Sequence, residues 1–247
     1  MNPGNQSIVL ATVLAAGVAL AAGLVAGTGL ARVRGADGYV RVKGVAEREV
    51  RADVAIWPIH VVAADNDLNA AHGRLERNVA GVRQFLSAQG LDTMQISLQG
   101  FSVSDAWANE YPSQRAPAFR FVVRETVVLR SADPDKVLKA SQRVGDLASI
   151  GVSLSSGGEN GPTGGPTFIF SGLNALKPQM IADATARARE AADQFARDSH
   201  SSLGAIRQAN QGVFEILPRD EAPGIAEGSQ VAKRVRVVST IDYFLKN

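Results

Sequence analysis

The hydrophobic pattern changes its period along the chain, and each period predicts a different element. The run from Ile8 to Leu30 has 23 residues and no charged side chain, which is long enough for a helix to cross a hydrocarbon core of about 30 Å. Alternation begins at Val40, and residues 50–62 (VRADVAIWPIHVV) are apolar on both faces, as in a central strand. Pro58 favours a local edge or bulge there, because proline has no N–H for a ladder.

Spacings of three and four residues predict three helices. The first begins at Asn66 or Asp67 and ends at Gly90. Its apolar stripe consists of Leu68, Ala71, Leu75, Val79, Val82 and Leu86. The second begins at Asp133-Pro134, and the third covers about 174–202 with small residues on its buried face, which implies close packing on a sheet.

The remaining apolar segments predict strands at 94–103, 119–130, 167–170, 212–217 and 233–245. The cleanest alternation is at 119–130, where Val123, Val127 and Leu129 point one way and Arg124 and Arg130 the other. The predicted order is ββαββα and then βαββ. This is an α+β fold of two sheet-plus-helix halves that could share one sheet, preceded by an N-terminal transmembrane helix.

Two segments follow from this pattern, an anchor or signal-like segment at 1–31 and a folded domain at 38–247. An uncleaved anchor is favoured over a cleaved signal peptide, because no Lys or Arg precedes the apolar run and the run is long. A buried core helix is the third alternative. Arg32 and Arg34 follow the run, which by the positive-inside rule would leave the domain in the cytoplasm. The absence of cysteine weakly favours a domain outside the cytoplasm, so the orientation stays open at this point.

Composition excludes several classes of protein. The chain has 247 residues and no cysteine, which excludes a disulfide scaffold, a thiolate zinc site, an iron–sulfur cluster and a cysteine nucleophile. Lys and Arg number 26 against 24 Asp and Glu, so the net charge of +2 does not predict binding to nucleic acid.

No catalytic motif is present either. The glycine-rich stretch at 155–166 has no lysine after its glycines and leads into a strand, unlike a phosphate-binding loop. His60, His72 and His200 lack the spacing of a metal motif, and no G-x-S-x-G occurs. We therefore predict a protein that is not an enzyme, with no catalytic residue, cofactor or metal.

Three segments resemble the SIMPL-domain (DUF541) family. The segment VRVKGVAEREVRADVAIWPIHV is similar to the family's opening strand pair, and FRFVVRETVVLRSADPDKVLKASQRV is similar to its middle strand and helix. The segment FIFSGLNALKPQMIADATARAREAADQFARDSHSSLGAIRQANQ is similar to its long alanine- and arginine-rich helix and the strand that follows it. The positions that match the opening pattern are Val42, Gly44, Val50, Ala52, Asp53 and Ala55. Together the three matches span about 39–245.

The resemblance implies an α+β domain exported to the periplasm or outer envelope of a bacterium. Some relatives are linked to oxidative-stress tolerance, one is an immunodominant antigen, at least one assembles into a channel-like homo-oligomer, and a distant mammalian member is a signalling adaptor. The family has no established catalytic residues to carry over. This chain departs from simple members in its long anchor, in Trp57-Pro58 and in the polar excursion from Trp107 to Tyr111. The resemblance also decides the orientation in favour of a periplasmic domain on an inner-membrane anchor.

Six residues are candidate contacts between copies: Gly23, Gly27, Trp107, Tyr111, Arg120 and Arg124. The two glycines form a G-x-x-x-G pattern that lets membrane helices approach closely, although such a pattern also arises by chance in an Ala/Gly-rich run. The aromatic pair could equally fold back on the domain. The arginine row could be a solvated face, a subunit interface or a contact with anionic lipid.

The sequence therefore predicts a non-enzymatic envelope protein that self-assembles into a large homo-oligomer, which the resemblance suggests is channel- or cage-like and linked to envelope or oxidative-stress tolerance. Its partners are other copies of itself and, through the N-terminal helix, membrane lipid, with no nucleic acid. The alternative is a periplasmic binding or chaperone-like module that captures a protein or a small ligand, which would show a deep pocket.

Overall fold

The computed structural model describes residues 38–108, 118–155 and 165–246. The predicted membrane segment and most of the glycine-rich stretch lie outside these residues. Among the helices of the described part, none is both long and apolar enough to span a membrane.

The described residues form an α+β fold, as predicted. Its strands and helices, in chain order, are β1 (Tyr39–Arg51), β2 (Val54–Asp65), α1 (Leu68–Ala88), β3 (Ile96–Asp105), β4 (Phe121–Ser131), α2 (Pro134–Gln142), α3 (Asp146–Ser149), β5 (Thr167–Ile169), α4 (Leu173–Asp198), β6 (Ser202–Gln211), β7 (Glu215–Pro218) and β8 (Ala232–Lys246). Single 3₁₀ turns occur at Thr93–Gln95 and Glu227–Ser229.

The strands form two four-stranded sheets. One has the order β3-β4-β2-β5 and the other the order β1-β8-β6, with β7 also paired to β8. The two sheets do not correspond to the two halves of the chain. The strand β5 pairs with β2, and β1 joins the sheet of the C-terminal strands. The predicted division into ββαββα and βαββ halves therefore does not describe the sheets.

The strand β6 was missed in the predicted order. The prediction continued the last helix to 202 and placed the next strand at 212–217, but α4 ends at Asp198 and β6 occupies Ser202–Gln211. His200 takes a left-handed conformation (φ 57°) that ends the helix. The segment SLGAIRQANQ shows no apolar alternation because β6 is a mostly exposed edge strand.

The core of the larger compact unit (residues 46–180 and 213–237) lies between α1 and the inner strands of its sheet. The Asp67 carboxylate caps α1 by accepting the Ala70 N–H at 2.8 Å, and Gly90 follows the helix with φ 72°. The predicted stripe is buried except for Leu68, and it packs in one cluster with Trp57, Ile59, Val61, Val123, Val127 and Leu129. This part of the prediction is confirmed.

Pro58 lies at a local edge, as its missing N–H predicts. The strand β5 pairs with β2 only at Val54–Ile56, and the next bridge on that side joins Val61 to Leu154. Between those two points no described strand pairs with that side of β2. The proline therefore leaves no ladder hydrogen bond unmade there.

The smaller unit (described residues 38–45, 181–212 and 238–246) is built on close approach of helix and strand backbones. Four alanines of α4 at intervals of four residues are buried, namely Ala184, Ala188, Ala192 and Ala196. A Cβ on Gly44 would overlap the carbonyl oxygen of Ala184 and lie 2.6 Å from the Ala188 nitrogen. The predicted small-residue packing is confirmed, and a glycine is required at this contact.

The turn between β1 and β2 is tied to the start of α4 by Asp53. Its carboxylate accepts hydrogen bonds from the Ser171 N–H (2.9 Å) and the Ser171 hydroxyl (2.7 Å). Partial burial alone would raise the pKa of this carboxyl. The hydrogen bonds from the Ser171 hydroxyl and from the backbone of Ser171 and Gly172 outweigh that effect and hold the pKa below its ordinary value.

We expect Gly44→Val to lower the free energy of unfolding by at least about 3 kcal/mol, because the added methyl groups collide with helix backbone rather than with movable side chains. Urea denaturation followed by circular dichroism measures this loss. Gly145→Ala is the matched control, since Gly145 has helical φ and no atom within 4 Å of an added Cβ. Equal stability of the two variants would contradict the close approach.

We expect Asp53→Ala to cost about 1–2 kcal/mol at neutral pH, because it removes charge-assisted hydrogen bonds at the start of α4. A carboxyl whose folded-state pKa is depressed stabilises the protein above its unfolded-state value of about 3.8. That contribution is lost as the pH falls through the folded-state value. The measured difference between wild type and Asp53→Ala should therefore shrink on acidification from pH 7 to pH 3, and a difference that grows would contradict this assignment.

Candidate interaction surface

The strand β3 lies at one edge of its sheet, and β5 lies at the other. The strand β3 pairs with β4 along one side, and no described strand pairs with its other side. Its sequence, ISLQGFSVSD, contains no Lys, Arg or Pro, and Asp105 at its end is its single charged residue. Charged residues and proline are the usual means of protecting a sheet edge against another strand. This edge lacks both along nine of its ten residues.

A bulge divides β3 and decides which side chains face the helix. The register with β4 shifts between Gln99 and Ser102, and Gly100 adopts φ 65°. An added Cβ on Gly100 would come no closer than 3.8 Å to another group, so conformation rather than crowding requires glycine. The shift brings Leu98, Phe101 and Val103 to the α1 side of the sheet, where Phe101 lies 6.0 Å from the His72 ring.

These three side chains remain partly uncovered beside α1. Leu98 is 43%, Phe101 52% and Val103 45% exposed, whereas Leu75 and Val79 of α1 face the inner strands and are buried. A groove of about 370 Å³ runs between helix and edge strand. Its lining is His72, Leu75, Glu76, Val79, Ala80, Arg83, Leu98, Phe101 and Glu125. An apolar floor with a charged rim is the composition expected of a contact surface.

At one end of the β3–β4 pair, an exposed tryptophan ring lies against the guanidinium of an arginine. The Arg120 guanidinium lies 4.8 Å from the centroid of the Trp107 ring and 4.7 Å from that of Phe121. Its Nη2 donates to Oδ2 of Asp105 at 3.1 Å, and Oδ1 of Asp105 accepts the Trp107 N–H at 3.0 Å. These bonds hold the backbone of Trp107 while its side chain stays exposed, with 69% of the residue accessible.

The same contacts favour the ionised form of the Asp105 carboxyl. The hydrogen bond from Arg120, and after it the Trp107 N–H, lowers the pKa of the Asp105 carboxyl below its ordinary value. Arg120 therefore offers less uncompensated charge to a partner than its sequence position suggests. Its backbone N–H also donates to Oδ1 of Asn66 at 3.0 Å, which ties the end of this strand pair to the start of α1.

The predicted contact residues separate in the structure. Trp107 and Arg120 meet in the cluster just described. Arg124 lies opposite Ser102 and Val62 on the strand face that points away from α1 and from the groove. Gly23, Gly27 and Tyr111 lie outside the described residues.

Sequence reasoning missed the groove between α1 and β3. The available signal was a strand of ten residues without a basic residue or proline, which marks an unprotected edge once the strand is known to be outermost. A second depression, of about 710 Å³, lies on α1 and is lined among others by Arg74, Arg77, Phe85 and Arg143. Within the part of the chain that the structure describes, no group of three or more His, Asp or Glu is placed to hold a metal ion.

Comparison with known proteins identifies the family. The family model "SIMPL: Protein of unknown function (DUF541)" matches residues 40–239. No curated protein matches the chain. The crystal structure of an uncharacterized conserved protein from Listeria innocua aligns at 14% identity over 77% of this chain and 90% of that one, but its TM-score of 0.16 carries no argument about fold. The match to 200 consecutive positions, which contains most of the described strands and helices, shows that the chain belongs to the SIMPL (DUF541) family of proteins of unknown function.

Proposed function

We propose that this SIMPL protein is a non-enzymatic, membrane-anchored component of the bacterial envelope that self-assembles into a homo-oligomer through the free edge of β3. The anchor rests on the uncharged run from Ile8 to Leu30. The periplasmic side, a channel- or cage-like assembly and a link to envelope or oxidative-stress tolerance rest on the family resemblance. The non-enzymatic role rests on the missing cysteine and catalytic motifs.

The observation that carries the proposal is the long β3 edge with three half-exposed apolar side chains beside it. A second copy fits this edge because β3 has one charged residue, at its C-terminal end. In an antiparallel pair the two copies of Asp105 lie at opposite ends, about 30 Å apart at the usual strand rise. Edge-to-edge pairing therefore satisfies backbone groups without placing like charges opposite each other.

The binding-module alternative has one observation in its favour. The depression of about 710 Å³ on α1 has the volume of a ligand site, and three of its lining residues are arginines. Two of those arginines have acidic partners: Arg74 donates to Asp65 at 2.8 Å, and Arg143 to Asp146 at 2.9 Å. This internal pairing reduces the charge available to an anionic ligand. Self-assembly is therefore the first proposal.

We expect the full chain in detergent to have a protein mass far above that of one chain by light scattering. Val103→Lys should lower that mass or weaken association at least about tenfold, because it places a cation on the unprotected edge in every copy. Ile206→Lys is the matched control. Ile206 is 51% exposed and lies on β6, an edge strand of the other sheet.

Three results would overturn the β3 proposal. A strictly monomeric full chain refutes self-assembly and favours the binding-module alternative. Dissociation by Ile206→Lys but not by Val103→Lys assigns the contact to β6. A chain lacking residues 1–35 that is monomeric, while the full-length Val103→Lys variant stays assembled, assigns assembly to the N-terminal segment.

We expect Trp107 to report the same association by fluorescence. Trp57 is 1% exposed and its emission should not change, whereas Trp107 is 69% exposed and lies at the end of the β3–β4 pair. Emission of the chain should shift to shorter wavelength as concentration rises, and it should stay constant in Trp107→Phe. A shift that persists in Trp107→Phe would show that the tryptophan is not near the contact.

A further inference from the structure

One face of the smaller unit carries an excess of positive charge around an aromatic ring. We call it the basic face and define it by Tyr39, Arg41 and Lys43 of β1, Arg207 of β6 and Lys246 of β8. Alternation along β1 puts its three members on one side of the sheet, opposite to the buried Val42. All five residues are exposed.

Direct contacts join the strands across this face. The Arg207 guanidinium lies 4.3 Å from the centroid of the Tyr39 ring. Arg41 donates from Nε and Nη2 to the two carboxylate oxygens of Asp242, at 2.7 and 2.9 Å. The hydrogen bond from Arg41 lowers the pKa of the Asp242 carboxyl, so this pair is ionised at neutral pH.

The pair does not neutralise the face. Asp242 is buried beneath Arg41, whose side chain is 60% exposed. The described residues of β6 include no acidic side chain, and Lys43 and Lys246 have no acidic partner within 4 Å in the described part of the chain. Among the described residues that define the face, four cations against the one carboxylate of Asp242 leave three net positive charges.

The basic face begins directly after the segment that joins it to the predicted anchor. Gly38 is the first described residue, and only the seven residues 31–37 lie between the end of the apolar run at Leu30 and Gly38. Fully extended, the nine Cα–Cα steps from Leu30 to Tyr39 span at most about 32 Å. An anchored chain must therefore keep Tyr39 within about that distance of the membrane surface, whichever side of the membrane the domain is on.

We propose that the basic face docks on anionic lipid headgroups beside the point where the anchor enters the membrane. This inference rests on the anchoring part of the proposed function and is independent of self-assembly. Guanidinium and ammonium groups pair with lipid phosphate, and tyrosine favours the interfacial layer. The tether supplies the high effective concentration that a surface of a few cations needs.

A second copy of the chain is a poorer occupant for the same surface. Two basic faces brought together would place like charges opposite each other. The β3 edge, which carries the proposal for self-assembly, is in the other unit and lacks basic residues. The two surfaces therefore call for different partners and can be tested separately.

The test uses the full chain inserted into lipid nanodiscs of phosphatidylcholine alone, or of phosphatidylcholine with phosphatidylglycerol at about three to one. Reaction of lysines with an acetylating reagent is measured at each site by mass spectrometry. At low salt, anionic discs should slow labelling of Lys43 and Lys246 about fivefold relative to neutral discs, the factor expected for one cation at an anionic surface. Raising the salt to about 0.5 M, where the screening length is about 4 Å, should abolish the difference.

Internal and variant controls separate docking from general effects. Lys139, exposed on α2 in the other unit, should be labelled equally in both discs. Arg207→Gln should restore much of the labelling of Lys43 in anionic discs. Arg77→Gln is the matched control, because it removes an exposed arginine from α1 and leaves the basic face intact.

Each outcome decides a different claim. A chain that inserts into both discs but shows no lipid-dependent protection of Lys43 overturns the docking proposal and leaves the anchor intact. Equal protection of Lys43 and Lys246 in both lipid compositions shows that a second copy of the chain covers the basic face, and this result also overturns the docking proposal. A chain that enters neither disc refutes the anchor together with this inference, while the mass measured in detergent still decides self-assembly.

Discussion

The limited width of one helix determines what the larger unit exposes. An α-helix with side chains is about 10–12 Å across and neighbouring strands lie about 4.8 Å apart, so α1 covers little more than two strands of its four-stranded sheet. Those two are β2 and β4, whose inward residues are buried. The outermost β3 therefore keeps Leu98, Phe101 and Val103 half exposed. The bulge at Gly100 reinforces this, because it holds all three on the helix side.

In the smaller unit, the helix and the sheet pack through close contact between their backbones. The helix presents alanines to the sheet and approaches so closely that Gly44 has no room for a side chain. Gly44 and Asp53 are two of the positions that carry the family resemblance, and the structure explains both by packing: one allows a helix–strand contact and the other ties a turn to the start of α4. The positions that identify the family thus stabilise the fold, and the chemically interesting surfaces lie elsewhere.

Hydrophobic spacing and helix caps correctly predicted the elements in which these patterns are strong. The stripe and cap of α1, the Asp133-Pro134 start of α2 and the alternation of β4 all follow from spacing. The strand β6 could not be found this way, because an edge strand of small and polar residues has no alternation. The groove beside β3 was missed for a related reason. The exposure of Phe101 depends on which strand lies at the edge of the sheet, and the local sequence does not determine the order of the strands. Trp107 and Arg120 were recognised as aromatic and basic residues, but their contact forms only where the end of β3 meets the start of β4.

The distribution of charged residues on the surface also depends on contacts between residues that are far apart in the sequence. Of the arginines that are close in sequence, Arg120 is paired with Asp105, and Arg124 lies opposite Ser102 on the strand face that points away from α1. The basic face instead joins β1 to strands from the other end of the chain. An edge with three half-exposed apolar side chains offers a modest contact, which an untethered domain would form weakly. In the proposed assembly, anchoring every copy to one membrane would raise the local concentration of such edges. In that proposal the weak edge depends on the tether for its local concentration, whereas docking of the basic face on lipid is a separate contact.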